Sequence, residues 1–200
     1  SGKTAQYLEQ LSDFQAGGSQ LVELTPDVNL EHLVQDAVIK GFDTVVAAGG
    51  DGTVNAVVNA LMSVDAARRP CMGILPLGTA YDFALTLAIP ADIPAAIDNL
   101  MVGHWIPMDV VRLSTGNAVK YFANVAAGGN SVRVTEEMTP EIKSRWGAFC
   151  YLRGAVPVLA DLQSYHIELE CDGEALAGQD SWAVLVANGR TNAGGIVVAP

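Results

Sequence analysis

The sequence predicts an α/β amino-terminal domain followed by a β-rich domain with a helical insert. Short apolar runs alternate with segments of helical period through the first half of the chain, and two of those runs end in glycine turns. After Pro107 the rhythm changes to closely spaced strands. With 200 residues, half of them hydrophobic and only 16% charged, the chain can bury one large core or two modest ones.

Taken in order, Ala5 to Gln15 places Tyr7, Leu8, Leu11 and Phe14 at helical spacing, and Gly17-Gly18 ends that helix. Leu21 to Thr25 reads as a short strand. Asn29 caps a helix running through Lys40, and the valine-rich stretch Asp43 to Ala48 reads as a buried strand. A helix over Thr53 to Met62, a strand over Met72 to Leu75 and helices over Asp82 to Ala88 and Ile93 to Val102 continue the alternation, which predicts a mostly parallel sheet.

Beyond a boundary at Met108, strands are expected at Met108 to Leu113 and Val119 to Ala126, separated by the turn Ser114 to Asn117. A helical insert over Glu141 to Leu162 precedes strands at Tyr165 to Cys171, Ser181 to Ala187 and Gly195 to Val198. Domains of residues 1–107 and 108–200 are therefore expected, meeting at a cleft. The abrupt ends, with no strand before the first helix and a stop in or just after a strand, predict truncation at both ends.

A formal charge of −11 argues against nucleic acid as a partner, because a phosphate backbone calls for a positive stripe. Cys71, Cys150 and Cys171 are widely spaced and odd in number, which suggests neither a disulfide framework nor a zinc site and fits a reducing, cytoplasmic setting. No apolar run approaches the ~20 residues of a membrane-crossing helix, and no signal peptide opens the chain.

The strongest chemical signal is the string from Asp43 to Asn59, with Gly49-Gly50-Asp51-Gly52-Thr53 joining a buried strand to a helix. Glycines let backbone approach a ligand closely, and a helix amino terminus offers amide donors to phosphate oxygens. Asp51 poses a difficulty there. A carboxylate ~4 Å from a phosphate charge is repelled by about 1 kcal/mol in water and roughly 4 kcal/mol at an effective dielectric of 20. Magnesium bridging the two, directly or through water, would reverse that sign; the plainer alternative is that Asp51 caps a helix, and the two roles are compatible. A second constellation, Gly73 to Ala84, again sets glycine and threonine, Gly78-Thr79, between a short strand and a helix. Two such turns on adjacent parallel strands lie at the carboxyl edge of the sheet, where open α/β sheets bind ligands. Thr79 is a candidate to bond a phosphate and Asp82 to orient a water or a basic group; alone, each reads more simply as a helix-start residue.

The two strings resemble the GGDGTxNE and LPLGTANDFA motifs of the diacylglycerol kinase catalytic family, with bacterial YegS-type lipid kinases as the nearest likeness. Asn124 to Gly129, Lys143 to Gly147 with Tyr151, Asn188 to Arg190 and Ala193 to Gly195 extend the resemblance over nearly the whole chain. It implies an ATP-binding α/β domain joined to a β-sandwich lipid-substrate domain, and magnesium-dependent transfer of the γ-phosphoryl group to a lipid hydroxyl. It further implies nucleotide contacts from Thr25, from Gly50, Asp51, Gly52, Thr53, Val54, Asn55 and Ala56, and from Thr79, with Gly49 and Gly78 completing the same turns. The implied partner is a lipid such as diacylglycerol or phosphatidylglycerol at a membrane surface, reached by a cytoplasmic, peripheral protein; a homodimer is admitted. Ala56 stands where the family has glutamate and Tyr81 where it has asparagine. The family's magnesium loop and catalytic glutamate are expected beyond Pro200.

Competing readings are an NAD-kinase-like enzyme, which shares the Gly-Gly-Asp-Gly turn, a P-loop nucleotidase beginning in Ser1-Gly2-Lys3-Thr4, and a regulatory protein that binds nucleotide or lipid without turnover. Lys143, Arg145 and Arg153 are candidates for a head-group face but read more simply as solvated surface. His32, His104 and His166 are scattered and read as structural, and Trp105, Trp146 and Trp182 as core or domain-contact residues.

Overall fold

The computed structural model describes residues 18–78, 80–137 and 150–199, the side chains of residues 150–154 excepted. The expected first helix, Ala5 to Gln15, lies outside the described residues, as do Thr79, Lys143, Arg145 and Trp146. The chain forms two compact units, residues 1–123 and 124–200.

In the first unit, α1 (Leu30–Ile39) starts at Asn29, whose side chain accepts the His32 N–H at 3.1 Å. It leads into β1 (Thr44–Gly49) and then α2 (Asp51–Met62). β2 (Cys71–Pro76) pairs with β1 in parallel, from Thr44 opposite Cys71 to Gly49 opposite Pro76. The short α3 (Asp82–Thr86) follows. In α4 (Ile93–Val102) the Asp92 side chain accepts the Ala95 N–H, and Gly103 ends the helix in the left-handed conformation at φ 72°.

Strand alternation sends β1 and β2 side chains to two cores. Ala47 and Ile74 face a cluster with Val34, Val54, Val57, Val58, Leu61 and Phe83. Val46, Ala48 and Leu75 face a second with Leu77, Ile93 and Ala96. The parallel ladder is thus covered on both faces, which is the usual burial for such pairing. At Gly73 a Cβ would come within 2.5 Å of Leu100 Cδ2, so glycine is what lets α4 sit this close to β2. Arg69 finishes α2, donating to the Leu61 and Val64 carbonyls at 2.9 Å each.

The hairpin of β3 (Val111–Thr115) and β4 (Ala118–Phe122) belongs to this first unit, whereas the sequence rhythm puts a boundary at Met108. The reason is Asn59 on α2. Its side-chain amide donates to the Tyr121 carbonyl at 2.9 Å and accepts the Tyr121 N–H at 2.9 Å, and it also donates to the Asn55 carbonyl. A switch from helical to strand period marks a change of local structure but not the surface on which the strands pack.

The second unit opens on β5 (Val125–Gly129), α5 (Asn130–Glu136) and α6 (Cys150–Ala160), then the hairpin β6 (Tyr165–Cys171) and β7 (Glu174–Ser181). β8 (Ala183–Ala187) pairs antiparallel with β5, and β9 (Thr191–Asn192) with β10 (Ile196–Val197). Asn130 is buried and uses its whole amide: it donates to the carbonyls of Gln163 and Trp182 and accepts from Arg133 and the Gln163 N–H.

Several expectations change. Residues 21–25 form no strand; Leu21 and Leu24 are each 45% exposed, and an apolar run needs a ladder partner to become a strand. The single strand expected over Val119 to Ala126 is two, β4 and β5, divided at residues 123–124. Within the expected insert, the described helix is α6 alone. β7 joins β6 through Asp172 and Gly173, both at positive φ, an Asp-Gly signal the strand expectations passed over. Trp105 and Trp182 are 47% and 63% exposed, which removes the core half of the expected core or domain-contact role.

Candidate functional site

The turn after β1 and the turn after β2 touch. A Cβ on Gly50 would meet the Ala80 carbonyl oxygen at 3.0 Å and Gly78 Cα at 3.2 Å, and a Cβ on Gly78 would run into Gly50 Cα. Only a pair of glycines allows this main-chain approach. Because the strands are parallel and in register, both turns leave the same edge of the sheet.

The helix after the first turn starts two residues earlier than the sequence suggests, at Asp51 rather than Thr53. Gly50 is its N-cap, and no side chain caps it. An α-helix leaves its first N–H groups without intrahelical acceptors, so this end presents amide donors and the positive end of the helix dipole. Thr53 folds back over Gly49, where any Cβ would strike its Oγ1. Gly52 differs from its neighbours: it is exposed, and a Cβ there would meet nothing within 4 Å. Val54 is buried in the first core, while Asn55 and Ala56 face outward.

Asp51 spans the two turns. Its carboxylate oxygens accept the Asp82 N–H at 3.1 Å and the Phe83 N–H at 3.0 Å, capping α3 from 31 residues away in sequence. Burial raises the Asp51 carboxyl above its usual range; the bonds from Phe83 and Asp82 pull it back down, and the neighbouring Asp82 charge pushes it up again. The capping role is realised, although the helix capped is the next one along. Asp82 itself is 2% exposed and sits inside the fold, so it does not present a carboxylate to an open cleft.

Each Asp51 oxygen accepts one amide and keeps a second lone pair, so capping α3 leaves the carboxylate able to meet a cation directly or through water. Among the described residues, no group of three His, Cys, Asp or Glu side chains gathers closely enough to hold a metal ion. Thr25 is exposed, its carbonyl accepting the Val28 N–H in a turn at 3.0 Å, and Thr79 lies outside the described residues. The structure therefore brings together Gly49 to Thr53, Gly78 and Asp82.

Asn59, which ends the first string, escaped the sequence reading; its signal was an amide side chain well inside a helix, where a cap role is impossible. In the second unit, two strings noted in the sequence converge. The Asn124 carbonyl accepts the N–H groups of Asn188 and Gly189 at 2.8 Å, and its side chain donates to the Thr191 carbonyl. Gly129, at φ 70°, lies so close to the Trp182 carbonyl that a Cβ would approach to 2.8 Å. Ala193, Gly194 and Gly195 all have positive φ. His166 pairs with Asp180 at 2.9 Å on the surface, and Cys71 and Cys171 are free and exposed. No described helix is long and apolar enough to cross a membrane.

Comparisons with known proteins bear on the family and the fold. Residues 2–113 match the model of the diacylglycerol kinase catalytic domain. The chain is 36% identical over 167 residues to a Cronobacter sakazakii protein named "Probable lipid kinase YegS-like", covering 84% of this chain and 54% of that one. It is 36% identical over 149 residues to the Bacillus subtilis protein named "Diacylglycerol kinase", covering 74% and 47%. The chain thus spans about half the length of the curated relatives it matches. Its mixed α/β fold is similar to that in a crystal structure of a diacylglycerol kinase from Bacillus anthracis, with a TM-score of 0.66 over 86% of this chain and 54% of that one at 24% identity. With more than half of its residues matched by one family model, and that match spanning both glycine turns, the chain belongs to the diacylglycerol kinase catalytic domain family.

Proposed function

We propose that the paired glycine turns bind the phosphates of ATP, and that the protein transfers the γ-phosphoryl group to the hydroxyl of a lipid. The observation that carries this reading is the contact of Gly50 with Gly78 beside the uncapped amino end of α2. Such backbone amides bind phosphate without a side-chain cation, which suits a chain of net charge −11. In this reading Gly49 to Ala56 and Gly78 surround the nucleotide, with Thr25 and Thr79 as further contacts. Their role in transfer is to hold the phosphates in position and to stabilise charge on the moving phosphoryl group.

Magnesium is proposed as the counter-ion that accompanies the triphosphate, with the remaining lone pairs of the Asp51 carboxylate facing it directly or through water. The acceptor class, a diacylglycerol- or phosphatidylglycerol-like alcohol, is taken from the names of the relatives, and the β-rich second unit is assigned to it as a sandwich-like lipid domain. Reaching such an acceptor calls for a cytoplasmic protein working at the membrane surface.

The test offers the protein γ-labelled ATP with magnesium, together with either extracted lipids or NAD. Label in the lipid fraction is expected. Label in NAD alone would overturn the acceptor assignment, and ATP binding with no label transferred to either would favour the non-catalytic reading, for which exposed Ala56 at the family's glutamate position is the motive.

A further inference from the structure

The geometry points to Asp51 as a positioning residue, a strut whose carboxylate fixes the amino end of α3 against the amino end of α2 and so sets the spacing of the two glycine turns. This rests on the reading that those turns bind ATP. Three facts support it. The bonds to the Asp82 and Phe83 N–H groups are the only side-chain cap that α3 receives among the described residues, since Tyr81 at its N-cap position makes none. The Gly50 and Gly78 backbones touch, so a small shift of α3 would open or close the space they share. Finally, the strut joins segments from two different strand-to-helix connections of one core.

The raised Asp51 carboxyl fits the same picture. A group held partly out of water to satisfy two amides is stabilised by those amides and strained by its burial, and both effects disappear if the side chain turns outward.

The experiment compares wild type, Asp51→Ala, Asp51→Asn and Gly52→Ala in the intact protein. It uses amide hydrogen exchange without nucleotide and equilibrium binding of magnesium-ATP. Exchange at Asp82 and Phe83 is referenced to buried Ile74, to separate local opening from global unfolding. In Asp51→Ala, exchange at both amides should quicken roughly tenfold and ATP should bind roughly tenfold more weakly. Asp51→Asn keeps one carbonyl acceptor, so one of the two amides should stay protected and binding should fall less than in Asp51→Ala. Unchanged exchange in Asp51→Ala would overturn the strut whatever happens to ATP. So would an Asp51→Asn protein that keeps that protection yet binds ATP as poorly as Asp51→Ala, because charge would then be what matters. If Gly52→Ala binds ATP normally, the nucleotide reading fails, while the exchange data still decide the strut.

Discussion

The glycines of the Gly49 to Thr53 turn and those of the Asn124 to Gly129 strand look alike in sequence and do different work. At Gly129 the backbone has a positive φ and the missing Cβ makes room for the Trp182 carbonyl, while at Gly128 it makes room for Val184. Every gap there is filled by protein. In the first turn, Gly50 and Gly78 are likewise filled by each other, but Gly52 faces open space at the amino end of a helix. Glycine there costs helix stability, about 0.5–1 kcal/mol relative to alanine, and the fold obtains no packing in return. Space that the fold does not use is space a ligand can use.

The largest effects should come from glycines that protein fills. Gly78→Ala drives a Cβ into the Gly50 backbone and should destabilise the first unit by about 3 kcal/mol, the upper part of the overpacking range. Denaturant unfolding measures it, and near-wild-type stability would mean that the turns do not touch in solution. Gly129→Ala should cost a similar ~3 kcal/mol through strain and contact, but where the variant is folded its ATP affinity should be unaltered. Loss of ATP binding there would erase the distinction drawn between the two regions.

Asn59→Ala should come next. It strands the Tyr121 N–H and carbonyl and removes the tie between α2 and the β3–β4 hairpin, at a cost of about 2 kcal/mol. Hydrogen exchange should quicken at Tyr121 more than at Ile74. The smallest effect concerns pH. Because burial raises the Asp51 carboxyl in the folded protein, the folded state holds this proton more tightly than the unfolded chain. The associated stability is present at low pH and lost as pH rises through the folded pKa. The melting-temperature difference, wild type minus Asp51→Asn, should therefore shrink as pH rises past the usual carboxylate range, and a difference that grows would reverse the sign of the account.

Local chemistry made much of this fold legible. Asn29 announces a helix start that the structure places where expected, the helix over Ile93 to Val102 has the expected bounds, and the valine-rich run before Gly49 becomes the strand β1. What could not be read is tertiary. Nothing near Asp51 reveals that its carboxylate caps a helix 31 residues on, nor that Asn59 would reach Tyr121. Leu21 to Thr25 has the composition of a strand but shows no partner among the described residues, and exposed Trp105 and Trp182 show that aromatic size alone does not assign a residue to the core. At the site, the glycine strings were visible from spacing, but their contact with each other, and the one glycine left open, were not.

The most direct measurement titrates magnesium-ATP into wild type and Gly52→Ala by calorimetry, alongside the melting temperature of each protein without ligand. A methyl group in that open space should weaken binding ten- to hundredfold, roughly 1–3 kcal/mol, while the melting temperature holds or rises. Equal ATP affinity in the two proteins would contradict the claim that phosphate occupies the space beside Gly52.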